Sequence, residues 1–185
     1  WFYSALLNFK SQFADGYAYP NDSIVISHFM APGYVTLALG VNYKPVEYFE
    51  MFFSPATGKI TFVNDQDLAN IGAYGVDPAL FDTSGNVITN GKKSRTEFGA
   101  YVNFKFKKDI FTNVTLASKL ELFNNYTDKD KDNVKNIDVN WEVGLLMKVN
   151  KFMTASVLTQ LIYDANTIAR TQFKEVIGVG VGYKF

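Results

Sequence analysis

One histidine and no cysteine stand among the 185 residues, so few side chains are equipped for chemistry. His28 lies in Ser27-His28-Phe29, with Asp22 and Ser23 a few positions earlier. Serine, histidine and a carboxylate are the ingredients of a hydrolase, in which the imidazole takes the serine proton and the acid orients the ring. No nucleophile motif surrounds either serine, so the favoured reading is a loop histidine among polar neighbours. Asp128, Asp130 and Asp132 alternate with Lys129 and Lys131, a spacing like the start of a calcium loop. Such a loop needs glycine at its sixth position and glutamate at its twelfth. Asn133 and Val139 occupy those positions and the lysines neutralise the acids, which reads as a solvated loop. Absence of cysteine excludes disulfides and thiolate metal sites. The expectation is a protein without catalytic residues, cofactor or metal.

A third set is spread more widely. Glu97, Lys105, Lys119, Glu121, Asp138 and Glu142 occupy the polar parity of three consecutive alternating segments. Two readings stay open. They could line a pore as a selectivity filter, or neutralise one another in a narrow interior where unpaired charge is costly. Their near-balanced signs favour neutralisation. Over the whole chain 18 Lys and Arg offset 18 Asp and Glu, so no basic surplus points to nucleic acid.

The elements that carry these residues follow from hydrophobic spacing. Apolar residues make up 48% and aromatics 16%, yet no apolar run exceeds three residues. A membrane helix is therefore excluded, and the spacing that remains is strict alternation, the signature of strands. Ile137, Val139, Trp141, Val143, Leu145, Met147 and Val149 form the longest apolar row, opposite Asp138, Asn140, Glu142 and Gly144. Phe98 to Phe106, Val114 to Leu122, Val35 to Tyr43, Met153 to Tyr163 and Ile177 to Phe185 repeat the pattern, as does Trp1 to about Phe13. In the stretch from Glu47 to Val63 the parity shifts, which predicts a bulge near Pro55 to Gly58. That makes eight long strands in a single domain over residues 1–185. Their polar faces are rich in Gly, Thr, Ser and Asn, unlike the solvated face of a sandwich.

The joins near Lys44–Val46, Lys107–Thr112 and Val149–Lys151 are short, whereas 14–31, 64–94, 125–135 and 164–171 read as long loops. Strict alternation of short and long joins is that of an up-and-down meander whose rims face different compartments, as in outer-membrane barrels. The 64–94 loop carries Leu68, Ile71, Tyr74, Leu80 and Phe81, and Asn90-Gly91 suggests a small turn. It reads as an ordered lid, either an inward plug or an outward docking surface. Trp1, Tyr43, Tyr48, Tyr163 and Phe185 fall near strand ends, where an interfacial belt would sit.

The ending Gly180-Val181-Gly182-Tyr183-Lys184-Phe185 resembles the C-terminal signal of outer-membrane barrels. The stretches Trp1–Phe13, Ala56–Lys59, Asn136–Val143, Thr159–Asp164 and Gln172–Phe185 resemble the C-terminal portion of a Bacteroidetes outer-membrane family, the domain of unknown function numbered 3078. This resemblance implies an all-β fold, a transmembrane antiparallel up-and-down β-barrel in the bacterial outer membrane. It also implies that Val179, Val181, Tyr183 and Phe185 are read by the barrel-assembly machinery. Members of that family carry a signal peptide and further strands before the counterpart of Trp1. Eight strands are visible here, and the resemblance implies about four more before them, a barrel of about twelve. The implied surroundings are outer-membrane lipid, lipopolysaccharide and other envelope proteins. The expected role is a non-enzymatic scaffold or accessory subunit of an envelope complex. The alternatives are a narrow, porin-like channel for small solutes and an outer-leaflet lipid hydrolase.

Overall fold

The computed structural model describes residues 1–18, 20–128, 137–166 and 168–183. In chain order its strands are β1 (Phe2–Ser11), β2 (Gly16–Ala18), β3 (Asn21–Ser27), β4 (Gly33–Val46) and β5 (Phe49–Phe62), followed by the short helix α1 (Gln66–Asn70). Then come β6 (Leu80–Phe81), β7 (Val87–Thr89), β8 (Ser94–Phe111), β9 (Val114–Asn125), β10 (Ile137–Lys148), β11 (Met153–Asp164) and β12 (Ile168–Val181). Eight of these form one antiparallel sheet in the order β1-β4-β5-β8-β9-β10-β11-β12. Sequential long strands are neighbours throughout, so the topology is the expected meander. The expected closure into a barrel is not present. β1 and β12 are the two ends of the strand order, and no ladder joins them among the described residues. Alternation dictates which face a side chain takes; whether the first and last strands meet is a separate matter that periodicity does not address.

The two faces are unlike each other. In β4, Leu37 and Leu39 are 55% and 61% exposed, while Ala38 between them is wholly buried. In β8, Glu97 is 2% exposed and Phe98 47%. The buried parity runs on through Gly99, Tyr101 and Asn103. In β5 the buried residues are Phe52 and Ser54, then Thr57 and Thr61, with Val63 just beyond the strand, so the faces slip by one residue at Pro55 and Ala56. The bulge lies where the sequence implied it. The Ser54 hydroxyl lies 2.8 Å from the Leu39 carbonyl and 3.0 Å from that of Ala56, which satisfies irregular backbone at the slip.

The chain divides into two compact units, one of residues 1–4, 39–56 and 99–185, the other of residues 5–38 and 57–98. In the first, β8 to β12 are joined by antiparallel ladders, with register shifts near Phe111 of β8 and between Ile162 and Asp164 of β11. The β8–β9 turn is only Thr112 and Asn113, with Asn113 at φ 67°, a left-handed position that asparagine tolerates. β8 therefore occupies most of the join expected at Lys107–Thr112. After β10, the Asn150 side chain accepts from the amides of Phe152 and Met153 at 2.8 and 2.9 Å, closing that turn. β12 begins at Ile168, paired with Asp164, so the expected loop 164–171 contracts to residues 165–167. Short and long connections thus do not alternate at the last join.

In the second unit the connection after β1 is built as the β2–β3 hairpin, and the 64–94 connection contains α1, a 3-10 turn at Ala73–Gly75 and the β6–β7 hairpin. Ala31, Val63, Leu68, Ala69 and Val76 form its apolar core, with Ala73 and Tyr74 packed against it. Asp65 caps α1 by accepting from the Leu68 amide at 2.8 Å. Asn90-Gly91 is not a turn. Gly91 lies against the Ala69 carbonyl where no Cβ would fit, and its amide donates to Asn70 Oδ1 at 2.9 Å. The reversal is instead made at residues 82–86, where Asp82 accepts from the amides of Ser84 and Asn86 at 2.8 and 2.7 Å.

Candidate functional site

The charged candidates fall into separate networks. Glu97, in the second unit, is paired with Arg95 and lies 3.9 Å from Lys59. The other five belong to the first unit. There the register sets Asn103, Glu121 and Asn140 side by side on β8, β9 and β10. The next row runs Lys105, Lys119, Glu142, Gln160 and Lys174 from β8 to β12. Glu121 is the hub. One of its oxygens accepts from the Tyr101 hydroxyl at 2.8 Å and Asn103 Nδ2 at 3.3 Å, and the other accepts from Asn140 Nδ2 at 3.0 Å. Lys119 Nζ sits 3.0 Å from the same carboxylate. Gln160 donates to Asn140 Oδ1 at 2.9 Å and lies 3.4 Å from Glu142. Lys105 lies 4.0 Å from Glu50, which accepts from Asn42 at 3.0 Å. Asp138 stands opposite Phe123 on β9, partly buried.

Lys105, Lys119 and Lys174 thus share this face with Glu50, Glu121, Asp138 and Glu142, and Lys107, Asp109 and Lys148 have the same parity, so neither sign dominates. The six charged candidates leave out Asn103, Asn140 and Gln160, which belong to the same network. Parity was the signal that would have found them, because each shares the polar row of its strand with a residue already singled out.

The opposite face ends in aromatic contacts. Trp1 stacks on Tyr43 with centroids 4.3 Å apart, Tyr43 meets Phe49 edge-on at 6.5 Å, and Phe49 meets Phe104 at 4.9 Å. Tyr48 packs on Phe106 at 5.9 Å, and Lys108 Nζ lies 4.4 Å above the Tyr48 ring. Beside the β10–β11 turn Phe152 stacks on Tyr183 at 5.6 Å, with Lys151 over Phe152. Within the apolar face Trp141 Nε1 donates to Ser118 Oγ at 3.0 Å, so the indole is not left with an unpaired donor. Val179 and Val181 on β12 are exposed, as is Tyr183 just beyond it; Phe185 lies outside the described residues.

His28 Nδ1 lies 2.9 Å from Asp15, and Nε2 lies 3.6 Å from Asp65. A carboxylate faces each ring nitrogen, an arrangement that ties the start of α1 to the first connection. Asp130, Asp132 and the side chain of Asp22 lie outside the described residues. Among the described residues no group of three or more His, Asp or Glu could hold a metal ion. Tyr74 donates to the Ile26 carbonyl at 2.6 Å, and burial pushes its phenol above the ordinary range, partly offset by a hydrogen bond with Ser27. No helix among the described residues is long and apolar enough to cross a membrane, which says nothing of crossing by strands. No protein-family profile, no curated protein and no solved structure matches the chain.

Proposed function

We propose that the eight-stranded sheet is membrane-spanning, part of a β-barrel in the bacterial outer membrane that serves as a non-enzymatic scaffold or accessory subunit of an envelope complex. The observation that supports this reading is the inversion of the two faces. Glu97, Asn103, Ser54, Thr57 and Thr61 are buried, while Leu37, Leu39, Phe98 and Trp141 on the other parity are exposed. A sheet that folds in water does the reverse, since burying its apolar row is what stabilises it. Lipid rewards an outward apolar row and tolerates polar residues only where they face inward. The aromatic contacts near the short turns, capped by Lys108 and Lys151, suit a membrane–water interface.

Lipid cannot satisfy a sheet edge. The reading therefore requires β1 and β12 to be paired, with each other or with further strands, and the resemblance to the Bacteroidetes family favours further strands. Val179, Val181, Tyr183 and Phe185 would then engage the assembly machinery. Charges of both signs on the buried face, several of them paired with one another, favour a non-conducting interior over an open pore. Histidine held between two acids favours a structural role over hydrolysis.

Single cysteines along β10 test the reading, because that strand has a partner on each side. Positions 139, 141, 143 and 145 should take a lipid-soluble label in native membrane, and positions 138, 140, 142 and 144 should not. Uniform labelling of both parities by a water-soluble reagent would overturn it.

A further inference from the structure

We propose that the polar face of β8 to β12 holds a binding site for a small anionic amphiphile, a carboxylate carrying an acyl or aryl tail. A cavity of about 480 Å³ opens over these strands, within the usual range for small-molecule sites. One wall is the row of Lys105, Lys119 and Lys174, with Glu142 as its single acid. The adjoining row is Ala117, Gly144, Leu158 and Val176, joined in register from β9 to β12. Leu158 leans over Gly144, where an added Cβ would come within 2.8 Å of it. Leu158 and Val176 are about half exposed, as is Leu146 farther along the same face of β10.

Two local rules are broken here. Lys105 and Lys119 face each other directly across the β8–β9 ladder, and like charges in that position destabilise a sheet. Apolar side chains stand uncovered on the polar face. Sequences break local rules mainly where a function is placed. The partners of two lysines, Glu50 and Glu121, do not line the cavity, and Glu121 is already engaged by Tyr101, Asn103 and Asn140. The lining therefore presents three cations and one anion beside an apolar shelf. An acidic head on the lysines and a tail across Leu158 and Val176 would satisfy both. The inference does not depend on the membrane reading, because every wall of the cavity belongs to one compact unit.

The full chain in a non-ionic amphipol, titrated calorimetrically with octanoate, octanol and octyltrimethylammonium, tests it. Octanoate should bind saturably, one per chain, at least tenfold tighter than octanol, and the ammonium should not bind. Lys174→Gln, an exposed site on the edge strand, should weaken octanoate at least tenfold and leave octanol unchanged. Val176→Trp should abolish both by filling the cavity. Lys105→Met should raise the unfolding temperature by relieving the like-charge pair while weakening octanoate, a combination that a purely structural lysine would not produce. Equal binding of octanoate and octanol, no saturable binding, or full affinity in Lys174→Gln and Val176→Trp would overturn the proposal. None of these outcomes bears on the β10 labelling pattern.

Discussion

Removing the carboxylate of Glu97 should be among the most damaging single changes in the second unit. The residue is almost wholly buried, paired with Arg95 and 3.9 Å from Lys59. At an effective dielectric constant of about 20, charges at that distance attract by about 4 kcal/mol. Taking the carboxylate out of water costs several kcal/mol, so the intact pair contributes little net stability. Glu97→Ala is different, because it takes the anion away from beside two cations whose side chains are only about a fifth exposed. Breaking a buried pair from one side costs about 3–5 kcal/mol. The lower end applies here, since each cation keeps some access to water. Glu97→Gln, which keeps the shape and one acceptor, should fall between wild type and alanine. Replacing Lys59, Arg95 and Glu97 together by methionine should cost less than Glu97→Ala alone, because both cations leave with the anion. Equilibrium urea unfolding, with the heat-modifiable band as the folded fraction, measures each variant. A cost under about 1 kcal/mol for Glu97→Ala, or a triple variant as damaged as the single one, would refute the argument.

Three further outcomes follow from other parts of the chain. Val143→Lys, at the middle of β10, should destabilise the protein in bilayers by about 2–4 kcal/mol if that row meets lipid, measured by urea unfolding from vesicles. Gly99→Ala should cost about 1–3 kcal/mol in the same assay, since a Cβ there would drive into the Asn124 carbonyl and crowd the Phe123 ring, forcing β8 and β9 apart. Hydrogen bonds from Asn86 (amide and side chain) and Ser84 hold the Asp82 carboxyl below its ordinary value. The stability it adds to the β6–β7 hairpin is complete above the unfolded value near pH 4 and lost as pH falls through the lower folded value. Hydrogen exchange at the Asn86 amide should report that loss, and Asp82→Asn should remove the pH dependence.

Much of this fold was legible in the sequence because side-chain alternation is a local property of a strand. The period of two along residues 137–149 assigns Val139, Trp141 and Val143 to one face and Asn140 and Glu142 to the other, and the ladder with β11 keeps that assignment. The bulge was legible for the same reason, since an extra residue at Pro55 reverses the parity after it. Long-range features were not legible. Asn90-Gly91 has the composition of a turn, yet Gly91 is there to approach Ala69, a contact that exists only once α1 is in place. Residues near 168 look like loop because Ile168 to Thr171 lack alternation, but the β11 edge supplies the hydrogen bonds that extend the strand. The charged row became a network only through register. That Glu121 meets Tyr101, Asn103 and Asn140, and that Lys105 faces Lys119, depends on how far each strand slides along its neighbour. Sliding by one residue would turn every side chain to the other face, so the burial of one face selects the register, and burial is decided by the assembled sheet rather than by any single strand.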